Sequence, residues 1–467
     1  MSDLRERLRA VLSPRNMSKG TLVALVVVLV LVAGAATAIG VRALLKPSVS
    51  PYVPVLPELA LGPLALDAPT PSAAGIDKAL RKATAAPELG TLSGIVINPA
   101  DGQQLWSRDP NDALAPGSAN KVLTAAATLL TLDPTKRLVT KVLAGPTPDS
   151  VVLVGGGDPT ISVLPPTSDS IYPGAAKLAT LAEEVQVAHP APIKKVFLDE
   201  SLFTGPQMAP GWDAGDIKGG DFSPMSALMA DGGRTDPTML DPPRTATPAV
   251  EAGRAFAQFL GADPNQVETG VAPTGAAELG RVNSPPISDL IETALTISDN
   301  VSAEALARQV ALAKGEEPSF AGGVKAIRSA LTGANFDISG MDTADGSGLS
   351  TDDKVPARLL GQIMAVAAGP KSDPRAVRLR PLLWGLPVAG GTGTLGDRFA
   401  TDDATGGRGW VRAKTGTLTG VNALTGVVTD TDGRLLAFAL MSNGTAPAAS
   451  RPKLDTIAAV LRDCGCR

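Results

Sequence analysis

The chain is poor in reactive side chains: its 467 residues include one His, two Cys and two Tyr. The single histidine, His189, precedes Pro190 at what reads as a helix end or loop. A Ser-His-Asp triad would have to use that one residue, and zinc sites built from several histidines are excluded. The cysteines, Cys464 and Cys466, stand among the last four residues. They cannot form a four-thiolate zinc or iron–sulfur centre, and a bridge between residues so close in sequence cannot staple a fold. The net charge is −4, with no basic tract beyond the N-terminus, so nucleic acid is not an expected partner. Nothing in this composition calls for a metal or a cofactor.

What is present supports folded cores. Hydrophobic residues make 44% of the chain and charged residues 19%, and the length corresponds to roughly three domains' worth of chain. No charge occurs from Gly20 to Val41, a stretch long enough to cross a bilayer as a helix. Before it stand Arg5, Arg7, Arg9, Arg15 and Lys19 against Asp3 and Glu6. The positive-inside rule therefore puts residues 1–19 in the cytoplasm and the bulk of the chain outside, on a signal anchor at residues 20–41. A cleaved secretory signal is the competing reading, because Ala36-Thr37-Ala38 resembles a cleavage site; its apolar part would exceed the usual length for such signals. Residues 42–75 are rich in proline, including Pro47, Pro51, Pro54, Pro57, Pro63, Pro69 and Pro71, and read as a semi-rigid stem.

Beyond the stem the pattern is mixed α/β. A short helix is expected over 77–86, strands over 91–98 and 103–107, and then a helix carrying Val122, Leu123, Ala126, Leu129 and Leu130 at helical spacing. Near the C-terminus three strands (410–414, 422–429, 434–442) precede a helix over 446–461. Strands at both ends with helices between them suggest one domain, residues 76–135 and 285–467, whose sheet is assembled from the two termini. Residues 136–284, with short strands at 150–155 and 195–199 and many turn residues, read as an insertion.

Three short elements carry the chemistry: Ser118-Ala119-Asn120-Lys121, Ser298-Asp299-Asn300 and Lys414-Thr415-Gly416-Thr417. A lone S-x-x-K is weak, and Ser450-Arg451-Pro452-Lys453 is a second one, but only Ser118 opens an apolar helix. There, Ser118 and Lys121 share one face, and helix-terminal amides favour developing negative charge. Lysine serves as a base only when burial or nearby positive charge depresses its pKa, and Lys414 is the expected second charge. Ser298 would pass protons between Lys121 and the leaving amine, and Asn300 would bond Lys121 and the substrate amide. The Lys414 strand can pair with an extended peptide, with Lys414 and Thr415 suited to a terminal carboxylate. Gly416 permits close approach of the backbone, and the amides of Ser118 and Thr417 are the natural oxyanion hole.

This ordered triplet is the signature of the penicillin-recognising active-site-serine enzymes. Further segments narrow the resemblance: Leu153-Val154-Gly155-Gly156-Gly157-Asp158-Pro159, Pro210-Gly211-Trp212, Ser223-Pro224-Met225-Ser226-Ala227-Leu228 and Asp345-Gly346-Ser347-Gly348-Leu349-Ser350. Over about residues 80 to 463 the chain resembles the D-alanyl-D-alanine carboxypeptidase/endopeptidase family, the class C low-molecular-mass penicillin-binding proteins, of actinobacterial exported type. The resemblance implies a penicillin-binding transpeptidase/β-lactamase-like domain interrupted by nested smaller domains. It also implies cleavage of the D-Ala-D-Ala bond of peptidoglycan stem peptides, and of cross-links, through an acyl-Ser118 intermediate, with β-lactam antibiotics as covalent inhibitors.

Two other readings stay open at this stage. A serine β-lactamase would need a deacylating group: no E-x-x-x-N loop lies between the first two motifs, and the only tyrosines are Tyr52 and Tyr172. A catalytically silent cell-wall scaffold would be favoured if Ser118, Lys121 or Lys414 were missing. Carboxypeptidase and endopeptidase preference are not separable from sequence. Gly391-Thr392-Gly393-Thr394-Leu395-Gly396 fits G-x-G-x-x-G without the surrounding βαβ unit and reads as a loop at the rim of the site.

Overall fold

In a computed structural model, which describes residues 68–466, strands from the two ends of that described region meet in one sheet. Helix α1 (Ala73–Thr84) leads into hairpin strands β1 (Thr91–Ile97) and β2 (Gln104–Arg108), and after the short β3 (Ala113–Leu114) the chain enters α2 (Lys121–Thr131). Next come β4 (Arg137–Ala144), β5 (Ser150–Val154), α3 (Leu178–Ala188), β6 (Lys195–Asp199), α4 (Pro248–Phe259), β7 (Val267–Thr269) and β8 (Glu278–Pro286). Helices α5 (Ile287–Thr296), α6 (Asn300–Lys314) and α7 (Phe320–Gly333) follow, then the short β9 (Val355–Pro356) and α8 (Ala357–Ala368). The chain closes through β10 (Val411–Leu418), β11 (Val421–Thr429), β12 (Leu435–Asn443) and α9 (Pro447–Asp463).

The first sheet has the order β10-β11-β12-β1-β2, antiparallel throughout, with Thr91 opposite Asn443 and Gly416 opposite Ala423. Both faces are covered, and the period-2 alternation of strand side chains sorts them. In β12, Ala437, Ala439 and Met441 join a core with α2, α5, α6 and α8. Leu436, Phe438 and Leu440 point the other way, into a core with α1 and α9. Helix α1 buries Ile76, Leu80 and Thr84, four residues apart, and starts earlier than its pattern suggests. The Ser72 hydroxyl accepts from Gly75 N at 3.0 Å, a cap that offsets the cost of glycine in the first turn. The last residues assigned to the stem therefore belong to this helix or its cap.

A second sheet, order β7-β6-β5-β4-β8, is built wholly from residues 137–286. It is mixed, with β5-β6 and β6-β7 parallel and β4 antiparallel to both neighbours. Its own core sets Val151, Leu153 and Val196 against Leu181 and Val185 of α3 and Phe256 of α4. The long segment between β6 and α4 packs Trp212, Phe222 and Met225 onto Val301 and Ala305 of α6 and Phe320 of α7. The signal anchor expected at 20–41 and most of the stem lie outside the described residues; among the described residues no helix is long and apolar enough to cross a membrane.

Candidate active site

Ser118 lies in a 3-10 turn, Gly117–Asn120, that runs into α2 at Lys121. The sequence places Ser118 in the helix's first turn; the tighter turn is the structural answer, and it suits the chemistry, since residues i and i+3 eclipse in 3-10 geometry. Lys121 Nζ lies 2.8 Å from Ser118 Oγ, 2.5 Å from Asn300 Oδ1 and 2.8 Å from the Ser347 carbonyl oxygen. Lys121 is buried, and burial lowers its pKa to about 8 against the opposing pull of Asp345, Asp299, Glu304 and Asp221. The second charge expected from Lys414 is thus not what depresses Lys121. Lys414 is itself buried and held well below the ordinary lysine value, first by burial and then by Lys121's charge.

Lys414 Nζ donates to Ser298 Oγ and to the Thr415 carbonyl, both at 2.8 Å. Two expectations change here. Ser298 contacts Lys414, not Lys121, and Lys414 points into the protein while Thr415 and Thr417 line the cavity. Ser298 sits at φ +61°, a left-handed conformation that costs a non-glycine residue of order 1–3 kcal/mol and concentrates at functional sites. Asn300 Nδ2 donates to the Asp221 carbonyl at 3.0 Å, so part of the amide expected to face substrate is committed to the inserted segment.

Strand β10 is the sheet edge. Ala413 N donates to the Pro387 carbonyl at 2.9 Å, covering the edge only as far as Ala413. Beyond it, Thr415, Thr417 and Leu418 face a cavity of about 430 Å³ that also contains Ser118, Ser298 and Asn300. Glycines let the strand approach the Ser118 turn. Gly117 has φ +52°, and a Cβ on it would stand 2.9 Å from Thr417 N. The glycine-rich loop after Ala389 reaches the same cavity through Thr394, whose hydroxyl meets that of Thr415 at 2.8 Å.

Three supports back the site, of which the sequence reading offers only the Asp345–Ser350 turn. Asp299 accepts from Arg234 Nη2 at 2.8 Å, Arg244 Nη2 at 3.0 Å and the Tyr172 hydroxyl at 3.2 Å. All four side chains are buried, and the two guanidiniums hold the carboxyl far below the usual range against the cost of burial. Asp345 accepts from the amides of Gly348 and Ser350 and from Trp212 Nε1, and Glu304 accepts from the amides of Gly346 and Ser347. This turn aims the Ser347 carbonyl at Lys121. Asp221 and Asp241 form an acidic wall of the cavity. Asp299 stands inside the second motif and Asp345 inside a segment quoted for the resemblance, whereas the arginine partners of Asp299 are isolated in sequence.

The remaining candidates fall outside the site. Ser450 is buried in α9, where its hydroxyl accepts from Asn422 Nδ2 at 2.5 Å and donates to the Ala446 carbonyl. His189 ends α3 and does not line the cavity. Cys464 and Cys466 form a disulfide, and the Cys466 carbonyl accepts from Ser72 N at 2.7 Å, tying the chain end to the cap of α1. Among the described residues, no group of three or more His, Cys, Asp or Glu is placed to hold a metal.

The sequence matches the D-Ala-D-Ala carboxypeptidase 3 (S13) family over residues 76–245 and 242–464. The chain belongs to this family. It is a serine-type D-Ala-D-Ala carboxypeptidase of the penicillin-binding class. Relatives agree: a carboxypeptidase of Mycobacterium tuberculosis is 46% identical, covering 91% of each chain. Carboxypeptidase DacB of Mycolicibacterium smegmatis is 44% identical over 86% of this chain and 87% of its own. Penicillin-binding protein 4 of Haemophilus influenzae is 22% identical and superposes with a TM-score of 0.65 over 82% of this chain and 97% of its own, which shows the fold of this carboxypeptidase.

Proposed function

We propose that Ser118 is the nucleophile and Lys121 its general base. The observation that carries this is the set of Lys121 partners. A neutral amine has two protons and one lone pair. Asn300 Oδ1 and the Ser347 carbonyl can only accept, so both protons go to them and the lone pair faces the Ser118 hydroxyl. Ser118 Oγ gives its proton to Nζ as it bonds to the carbonyl carbon of the penultimate D-Ala. The oxyanion is received by the amides of Ser118 and Thr417, whose proximity is supported by the packing of Gly117 against Thr417 N. As the C–N bond breaks, the leaving D-Ala nitrogen takes the proton that Lys121 Nζ received from Ser118, which returns Lys121 to the neutral amine. Ser298, which lines the cavity and is backed by Lys414, hydrogen-bonds the departing nitrogen. Water then attacks the acyl-ester carbon and gives a proton to Lys121; as the C–Oγ bond breaks, Lys121 passes that proton to Ser118 Oγ, which restores the serine and releases the shortened peptide as a carboxylic acid.

Peptidoglycan stem peptides are the substrate this reading assigns, docked along β10 from Lys414 to Leu418. β-Lactams are assigned as acylating inhibitors, as the Haemophilus influenzae relative forms a β-lactam complex. Rapid hydrolysis of the β-lactam acyl-enzyme is disfavoured, because Tyr172 is buried under Asp299 and its phenol is pushed up to about 12. The charge asymmetry around residues 20–41 supports a single-pass anchor with the catalytic part outside the cell membrane; N-terminal sequencing of the mature protein tests that against cleavage. Labelling with a fluorescent penicillin, wild type against Ser118→Ala, tests the nucleophile, and D-Ala release from a pentapeptide tests the reaction. Persistent labelling of the variant would refute the assignment.

A further inference from the structure

We propose that Arg451 is the cationic contact for the free C-terminal carboxylate of the substrate, and so a specificity-determining residue of this peptidase. The proposal rests on the acyl-serine reading and adds the group that recognises the leaving D-Ala. A peptide ending in D-Ala-D-Ala carries its negative charge one residue beyond the acylated carbonyl, so the cavity must offer that end a cation or a set of donors.

Four arginines line the cavity: Arg234, Arg244, Arg398 and Arg451. The first two are committed to Asp299. Arg398 forks onto Asp455 with Nε and Nη2 at 3.1 and 2.6 Å, and its Nη2 also donates to the Arg451 carbonyl at 3.2 Å. The Arg451 guanidinium makes no hydrogen bond or ion pair with any described residue, and its Nε is buried without an acceptor. Beside the cavity, then, two guanidiniums share one carboxylate and a positive charge is left uncompensated. A buried donor without a partner is costly, and an arriving carboxylate would satisfy it with charge-assisted hydrogen bonds.

The remaining walls favour the same orientation. Asp221 and Asp241 stand on the wall contributed by the inserted segment, where a carboxylate would be repelled. Lys414, the cation first expected to take this end of the peptide, spends its protons on Ser298 Oγ and the Thr415 carbonyl and is buried. Thr415 and Thr417 line the cavity together with Arg451, so hydroxyl donors accompany the guanidinium.

The test compares kcat/KM for an acyl-Lys-D-Ala-D-Ala tripeptide as the free acid with that for its C-terminal methyl ester, which lacks the charge. In Arg451→Gln the acid-to-ester ratio should fall by roughly 10- to 100-fold, the range for a hydrogen bond to a charged group. In Arg451→Lys it should fall less. Because the ratio is taken within one protein sample, partial unfolding of a variant cancels. An unchanged ratio in Arg451→Gln overturns the proposal while leaving the peptidase intact. Absence of D-Ala release and of penicillin labelling in the wild type would instead sink the acyl-serine reading, and this proposal with it.

Discussion

Lys121 Nζ faces Ser118 Oγ across 2.8 Å, with its two other neighbours able only to accept. In its neutral form Lys121 is therefore placed to take the hydroxyl proton before any substrate arrives. Burial does most of the tuning: it brings the lysine to about 8, while Asp345, Asp299, Glu304 and Asp221 keep it from falling further. A positive neighbour is not required.

The pH profile of acylation follows from this. Only the neutral amine can accept the Ser118 proton, so the second-order rate of penicillin acylation should rise with pH through about 8 and then level off. Lys121→Met should lower it by at least about 10²-fold, in line with loss of a general base. Stopped-flow or fluorescent-penicillin rates between pH 6 and 10 check both; a flat profile would remove Lys121 as base.

Backbone approach at the oxyanion side is the next sensitive point. A Cβ on Gly416 would come close against the Pro116 carbonyl and 3.1 Å from Ala119 N, so Gly416→Ala must wedge β10 away from the Ser118 turn. A misplaced oxyanion hole costs about 10²–10³-fold in rate. We expect the variant to fold, with near-native circular dichroism, and to acylate with penicillin more slowly by about that factor. Unaltered acylation would place the oxyanion donors elsewhere.

The clamp on Asp299 joins the inserted region to the catalytic helices, through Tyr172, Arg234 and Arg244. Truncating one member of a buried ion-pair network leaves the others uncompensated, at a cost of roughly 3–5 kcal/mol. Asp299→Ala should lose that much stability in denaturant unfolding, and acylation as well, since Asp299 also caps α6 beside Asn300. Arg234→Met with Arg244→Met and Asp299→Leu together should be milder than Asp299→Ala alone. If the single variant is the milder one, the clamp is not the link.

How much of this was legible depends on the range of the interaction. The Ser118–Lys121 spacing, the β10 edge and the two-ended sheet follow from local periodicity, which one strand or helix displays by itself. The Ser298 to Lys414 bond could not be read, because it is set by the left-handed backbone at Ser298. The Asp299 clamp draws on residues 172, 234 and 244, brought together only by the fold of the insertion. Arg451 stands inside the second S-x-x-K, whose neighbours in sequence carry no sign of its place beside the cavity.

A cluster of buried carboxyls beneath the site gives the last prediction. Burial, first of all, raises Glu304 to about 7 and Asp353 to about 9, with Asp345 adding like charge to both. Between the unfolded carboxylate range near ~4 and these values, the folded protein holds protons that the unfolded chain has released. Stability from these groups is thus fully present below about pH 4 and lost as pH rises through 7 and 9. Lys121, depressed to about 8, and Lys414, held well below the ordinary lysine value, act in the opposite sense, but they are common to wild type and variant, so the difference between the two proteins isolates the substituted acid. Asp353→Asn replaces the protonated carboxyl by a neutral amide that still offers an acceptor to Ala344 N, which donates to Asp353 at 2.7 Å. The variant should lose less stability than the wild type from pH 5 to 8, by up to about 4 kcal/mol, three pH units at ~1.4 kcal/mol each. Denaturant midpoints at the two pH values decide it: parallel losses in both proteins would mean that Asp353 is ionised in the folded state.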